Sequence, residues 1–246
     1  MPKRARKQIQ PNFQGEPPMA TDSNTRSLPY APTDSADIIY PESDGKPMAE
    51  TDLHIEEIIR MRHILKAHFA EKPDVYISGN IMMYYEEDVI QSSVSPDILV
   101  TFGIGKKRRR TYKTWEEGKP PDFVMEFSSK GTYRDDLDNK VELYARIGIS
   151  EYFLYDAERR YLPSYLMGYR LVDGRYVEIL PRPDGGFFSE TLNLTIHLQD
   201  DTFGVYDPAT EQWLQSAEER AETAEAEVAR LQEELKRLQS TSTPSA

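Results

Sequence analysis

The block PPDFVMEFSSKGTYRDDLDNKVELYARIGISEYFLYD, residues 120–156, restricts this chain most, because it reads as strand, helix and strand with almost no connecting sequence. Residues 123–127 are apolar except for one glutamate, and 152–155 are aromatic or apolar. Between them, 134–147 has helical patterning and ends at Gly148, which suits a left-handed stop. Two strands joined by a helix through short links form a crossover unit. The block therefore predicts a parallel pair inside a mixed sheet.

The remaining elements are arranged around that unit. Leu53, Ile55, Ile58, Ile59, Met61, Ile64, Leu65 and Phe69 include the three-and-four spacing of a buried stripe, predicting a helix that opens at Thr51 or Asp52 and runs to about 70. Strand-like runs stand at 75–78, 81–85 and 98–102, and later ones at 165–172, 176–180 and 192–197 read as antiparallel strands linked by Gly-containing turns. The fold class is α/β, in one domain over 37–210. Eight of the 17 prolines fall within 1–50, so 1–36 is expected to be a disordered arm. From 211 to 239 the seam Leu214, Ala217, Ala221, Ala224, Val228, Leu231, Leu235, Leu238 alternates steps of four and three. That predicts a coiled-coil helix and a homo-oligomer assembled through it, with 240–246 disordered.

Composition removes several classes of function. There is no cysteine, so disulfide frameworks, thiol nucleophiles and cysteine zinc sites are excluded. No apolar run is long enough to cross a bilayer, and the basic start MPKRARKQIQ leads into polar sequence, so a cytoplasmic protein is expected. With 42 acidic against 30 basic residues the net charge is −12, which opposes coating nucleic acid through overall charge. One segment runs against that balance: KKRRRTYK carries Lys106, Lys107, Arg108, Arg109, Arg110 and Lys113, with Tyr112 and Trp115 nearby. It reads either as a clamp on a nucleic-acid backbone with stacking aromatics or as a solvated basic loop.

Three ionisable residues occupy unusual positions. Asp97 opens the apolar run 98–102, Glu126 interrupts the apolar strand 123–127, and Lys140 lies on the helix that should pack on the sheet. A carboxylate inside such a strand is costly to bury without a partner or a metal ion. Two carboxylates and a lysine on adjoining elements suit phosphodiester hydrolysis with a hard divalent cation, magnesium or manganese. His54, His63, His68 and His197 form no convincing zinc set. Bland readings stand beside these. Pro-Asp occurs four times and often only opens a strand or turn, Glu126 fits an edge position, and Lys140 fits a surface pair with Asp136 one turn away.

The stretch SPDILVTFG and the block 120–156 resemble the Uma-two family of restriction endonucleases, within the PD-(D/E)xK nuclease superfamily, and the similarity runs from about Tyr40 to Tyr206. The resemblance implies a restriction-endonuclease-like mixed sheet with flanking helices, with Asp97 and Glu126 as catalytic metal ligands. The position two after Glu126 is Ser128 instead of lysine, which points to Lys140, with Lys130 as the competing candidate. His54, preceded by Glu50, matches a family position where capping and orientation are the expected roles. The leading expectation is a magnesium- or manganese-dependent endonuclease acting on DNA. The alternative is a catalytically silent nucleic-acid or protein interaction module assembled through the coiled coil.

Overall fold

The computed structural model describes residues 39–43, 45 and 51–241, with side chains to 238. The arm expected over 1–36, Glu50 and the tail 242–246 lie outside the described residues. In chain order the elements begin with α1 (Asp52–His68), β1 (Val75–Ser78), β2 (Met83–Tyr84), β3 (Ser93–Val94), β4 (Ile98–Phe102), β5 (Tyr112–Lys113) and α2 (Thr114–Glu117). The crossover follows as β6 (Phe123–Phe127), α3 (Tyr133–Leu137), α4 (Asn139–Ile147) and β7 (Glu151–Tyr155). Last come β8 (Leu166–Val172), β9 (Arg175–Glu178), β10 (Phe187–Ser189), β11 (Leu194–Leu198), β12 (Phe203–Asp207), β13 (Gln212–Leu214) and α5 (Ala217–Thr241).

The fold is mixed α/β. Its main sheet has six strands in the order β1-β4-β6-β7-β8-β9, and only β6 and β7 pair in parallel. That pair is the one the strand–helix–strand block predicted. Two faces are covered by different means. On one, α1 contributes Ile58, Met61, Ile64 and Leu65 to a core with Val100, Met125, Phe127 and Phe153. The antiparallel sheet β10-β11-β12-β13 closes the same core through Leu194, Ile196, Phe203 and Val205. On the other face Val124, Leu99, Tyr144, Tyr152 and Leu154 pack together, with Leu137 and Val141 against them. A small sheet, β3-β2-β5, stands beside these two. Among the described residues no helix is long and apolar enough to cross a membrane.

Local differences from the sequence reading have physical causes. Thr51 caps α1 as expected, its Oγ1 accepting from the His54 N–H at 3.3 Å. Leu53, Ile55 and Ile59 are exposed, because the buried stripe of α1 runs through His54, Glu57, Ile58, Met61, Ile64 and Leu65. The helix expected over 134–147 is broken into α3 and α4 at Asp138, whose backbone sits at φ −111 and ψ −80. DDLDNK contains no glycine or proline to mark that break. Gly148 is left-handed at φ 91, and its N–H bonds the carbonyls of Tyr144 and Ala145, as a helix stop requires.

The coiled-coil helix expected from 211 begins instead at Ala217 and reaches Thr241; residues 212–214 form β13 on the edge of the second sheet. The start is set by a capping box. Ser216 Oγ accepts from the Glu219 N–H at 3.1 Å, and Glu219 Oε2 accepts from the Ser216 N–H at 2.6 Å. Glu219 also pairs with Arg60 of α1 at 2.6 Å, which ties the root of α5 to the domain.

One close approach positions the end of β4. A Cβ on Gly79 would lie 2.3 Å from the Asp97 carbonyl oxygen, so only glycine lets the two backbones meet there. Gly79→Ala is expected to destabilise the fold by about 1–3 kcal/mol through forced backbone displacement. Thermal unfolding measures it, and an unchanged melting temperature would contradict this packing.

Candidate active site

Strands β4 and β6 run antiparallel with Ile98 opposite Met125. One step further along that register, Asp97 faces Glu126. Two bonds cross the gap between the strands: the Asp97 N–H donates to Glu126 Oε2 at 3.3 Å, and the neighbouring Phe127 N–H donates to Asp97 Oδ2 at 2.8 Å. Side-chain alternation puts Glu126 on the face of Val124 and Tyr144, under the crossover helices. There Glu126 is buried, while Asp97 is half-buried.

Lys140 reaches this pair from α4. Its Nζ lies 3.1 Å from Glu126 Oε1 and 2.8 Å from Asp136 Oδ1. Lys140 therefore serves the strand carboxylate and the helical one, and its pair with Asp136 is buried instead of lying on the surface. Lys130, the competitor, lies exposed in a turn beyond the end of β6. His54 is buried on the opposite side of the sheet, edge-on to Phe127 at 6.3 Å between ring centroids.

Three further residues build the site that the sequence reading had not assigned to it. Tyr144 donates its hydroxyl to Glu126 Oε1 at 2.5 Å. Asp136 is buried and accepts from the Ser128 hydroxyl at 2.9 Å, while its backbone carbonyl accepts from Tyr152 at 2.9 Å. Ser128 thus anchors the carboxylate that holds Lys140. The available signal was spacing: Asp136, Lys140 and Tyr144 follow each other at intervals of four and share a helical face.

The charges in this cluster do not balance. Asp97, Glu126 and Asp136 surround one lysine. Burial, together with the Asp97 and Asp136 carboxylates, pushes Glu126 up from 4.5 to about 8 against the pull of Lys140. Burial opposes the charge on Lys140, but Glu126, Asp136 and Asp97 together outweigh it and raise its pKa. The cluster is thus short of positive charge, which a divalent cation at the Asp97–Glu126 corner would supply. Among the described residues no three His, Asp or Glu side chains are arranged around one metal position. Two carboxylates fit a hard ion that keeps water in its remaining positions, as magnesium does, and fit zinc poorly.

The basic segment is less free than a loop. Arg109 is almost fully buried; it forms two bonds of 2.7 Å to Glu117 and stacks 4.0 Å from the Tyr76 ring centroid. Lys106 donates to the carbonyls of Phe69 and Ala70, both at 2.7 Å. Lys113 pairs with Glu116, Arg110 with Glu42 and Lys107 with Glu117. Tyr112 is buried in β5, and Trp115 packs on Tyr40, so neither ring is presented for base stacking in this arrangement.

A family model, Uma2, described as "Putative restriction endonuclease", matches residues 30–201. Among solved structures the chain is similar to a putative nuclease belonging to DUF820 from Anabaena variabilis ATCC 29413, at 14% identity and a TM-score of 0.41, over 56% of this chain and 76% of that one. No curated protein matches the chain.

Because Glu126 binds its proton more tightly when folded, its contribution to stability is full below about pH 4.5 and lost as pH rises through about 8. The raised pKa of Lys140 acts only above its ordinary value of 10.5, outside this window. In metal-free buffer, wild type should lose on the order of 3 kcal/mol relative to Glu126→Gln between pH 5 and pH 8. Denaturant unfolding of both proteins at the two pH values checks this, and parallel pH profiles would refute it.

Proposed function

The chain belongs to the Uma2 family of putative restriction endonucleases, and from that premise we propose that it is a divalent-metal-dependent endonuclease that hydrolyses phosphodiester bonds in DNA. The observation that carries the reading is the opposition of Asp97 and Glu126 across β4 and β6, with Lys140 held against Glu126 at 3.1 Å. Asp97 and Glu126 would hold Mg2+ or Mn2+, which when bound would offset phosphoryl charge and lower the pKa of a coordinated water.

The chain's own groups then have separate tasks. Tyr144 and the Asp97 N–H fix the two oxygens of Glu126. Asp136, held by Ser128, keeps Lys140 from collapsing wholly onto Glu126. An ammonium has three N–H donors, and two are taken by these carboxylates. The third is left to hold a water or a phosphoryl oxygen beside the reacting bond. In this scheme Lys140 stays charged, as its surroundings require.

The same proposal includes a homodimer. Val228, Leu231, Leu235 and Leu238 are all exposed along α5 at steps of three, four and three, the spacing that a second copy of the helix would cover. Alanines nearer the root make the outer half of α5 the stronger part of that seam.

Two experiments test these readings. Purified protein with Mg2+ or Mn2+ should nick supercoiled plasmid, chelator should stop it, and Glu126→Gln or Lys140→Ala should lower the rate at least a hundredfold. Equal rates in all three proteins, or cleavage that persists in chelator, would show the site to be misassigned. Light scattering should give twice the chain mass for wild type and the single mass for Leu231→Glu/Leu235→Glu; equal masses would remove the dimer.

A further inference from the structure

Three cations with no counter-charge stand together along the free edge of the main sheet. β1 is the edge strand, and a groove of about 580 Å³ runs along it. Its lining holds six basic residues, Arg62 and Lys66 from α1 and Lys106, Lys107, Arg108 and Arg109 from the segment after β4, and no acidic one. Lys106 and Arg109 are committed to internal partners and act as walls. Arg62, Lys66 and Arg108 are different: among the described residues none of them has a hydrogen bond or ion pair. The Arg62 Nε is buried without a hydrogen-bond partner. Lys66 is disfavoured as a cation first by burial and then by Arg62 and Arg108 beside it. Crowding three cations without a counter-ion opposes folding, so an anion gains both their attraction and the relief of their repulsion.

The groove also leads towards the carboxylates. Ser78, in its lining, pairs with Leu99, and paired residues share a face. Leu99 shares its face with Asp97 two residues earlier, and the next backbone unit, Gly79, rests on the Asp97 carbonyl. The four residues of β1 span about 13 Å at roughly 3.3 Å each. At about 3.4 Å of duplex axis per phosphate on one strand, that length serves three or four phosphates.

We propose that this edge groove seats the phosphodiester backbone of the nucleic-acid substrate, with Arg62, Lys66 and Arg108 as its contacts, and feeds the strand to the Asp97–Glu126 corner. This rests on the nuclease reading for what happens at the corner, but the binding itself does not require cleavage. It also moves the contact surface from the basic segment alone to one shared by α1 and Arg108. Continuity with the carboxylate end of the sheet favours a substrate backbone over an acidic polypeptide.

The test is fluorescence anisotropy of the full chain with a fluorescein-labelled 20-base-pair duplex across a salt series. Arg62→Gln/Lys66→Gln/Arg108→Gln should bind roughly tenfold or more weakly at 0.1 M salt and reduce the log–log salt slope by about 2.7, while Arg108→Gln alone should reduce it by about 0.9. Arg175→Gln/Arg230→Gln/Lys236→Gln, which removes three charges elsewhere, should leave the slope unchanged. The groove variant should melt no lower than wild type, because it removes mutually repelling charges. A triple groove variant that is folded and keeps wild-type affinity and slope overturns the proposal. So does poly-glutamate competing as well as DNA at equal charge. Glu126→Gln should still bind; binding that stays sensitive to the groove residues in a wild type that cuts nothing would retain the groove and remove the nuclease reading.

Discussion

The burial of one carboxylate inside a strand governs this structure. Glu126 sits at the centre of a six-stranded sheet, where an ionised side chain is costly unless other groups answer it. Each neighbour provides part of that answer: the Asp97 N–H on one oxygen, Tyr144 and Lys140 on the other. Lys140 in turn needs Asp136, and Asp136 needs Ser128. The crossover helices are therefore positioned by polar satisfaction as much as by the apolar contacts of Val141 and Leu137. The network remains short of positive charge, a condition that suits chemistry more than stability.

The two faces of the sheet divide the work. The face under α1 and the second sheet is dry and aromatic, with Phe127 against Tyr155 and Phe203 edge to face. It keeps the strands rigid, so the register that opposes Asp97 to Glu126 does not slip. The other face carries the polar cluster under α3 and α4. His54, expected from its sequence position to cap and orient, lies among the apolar contacts of the first face and away from the carboxylates.

The net charge of −12 looked unfavourable for a protein that handles nucleic acid. Its distribution changes the argument. Acidic partners neutralise Arg109, Arg110 and Lys113 within the fold, while three cations without a counter-charge stand together at the β1 edge, two of them supplied by α1. A count of basic residues in a run cannot distinguish these cases, because pairing is decided by residues distant in sequence, such as Glu42 against Arg110.

The crossover unit, its parallel pair, the Thr51 cap and the Gly148 stop were legible in the chain, because each depends on periodicity or on short connections; the pairing of Lys140 with the strand carboxylate 14 positions earlier was legible through the crossover that lays its helix on the strand. The capping box at Ser216 was legible too, although the apolar seam beyond it drew the expected boundary outwards to 211. The exposed flank of α1, the break at Asp138, the second sheet and the edge groove were not, since each is settled by what packs against an element. Sequence alone determined which residues bear charge inside apolar strands. Only the tertiary structure decided which carboxylates face one another and which cations remain unanswered, because register and burial are set by partners up to 159 positions away, as with Arg60 and Glu219.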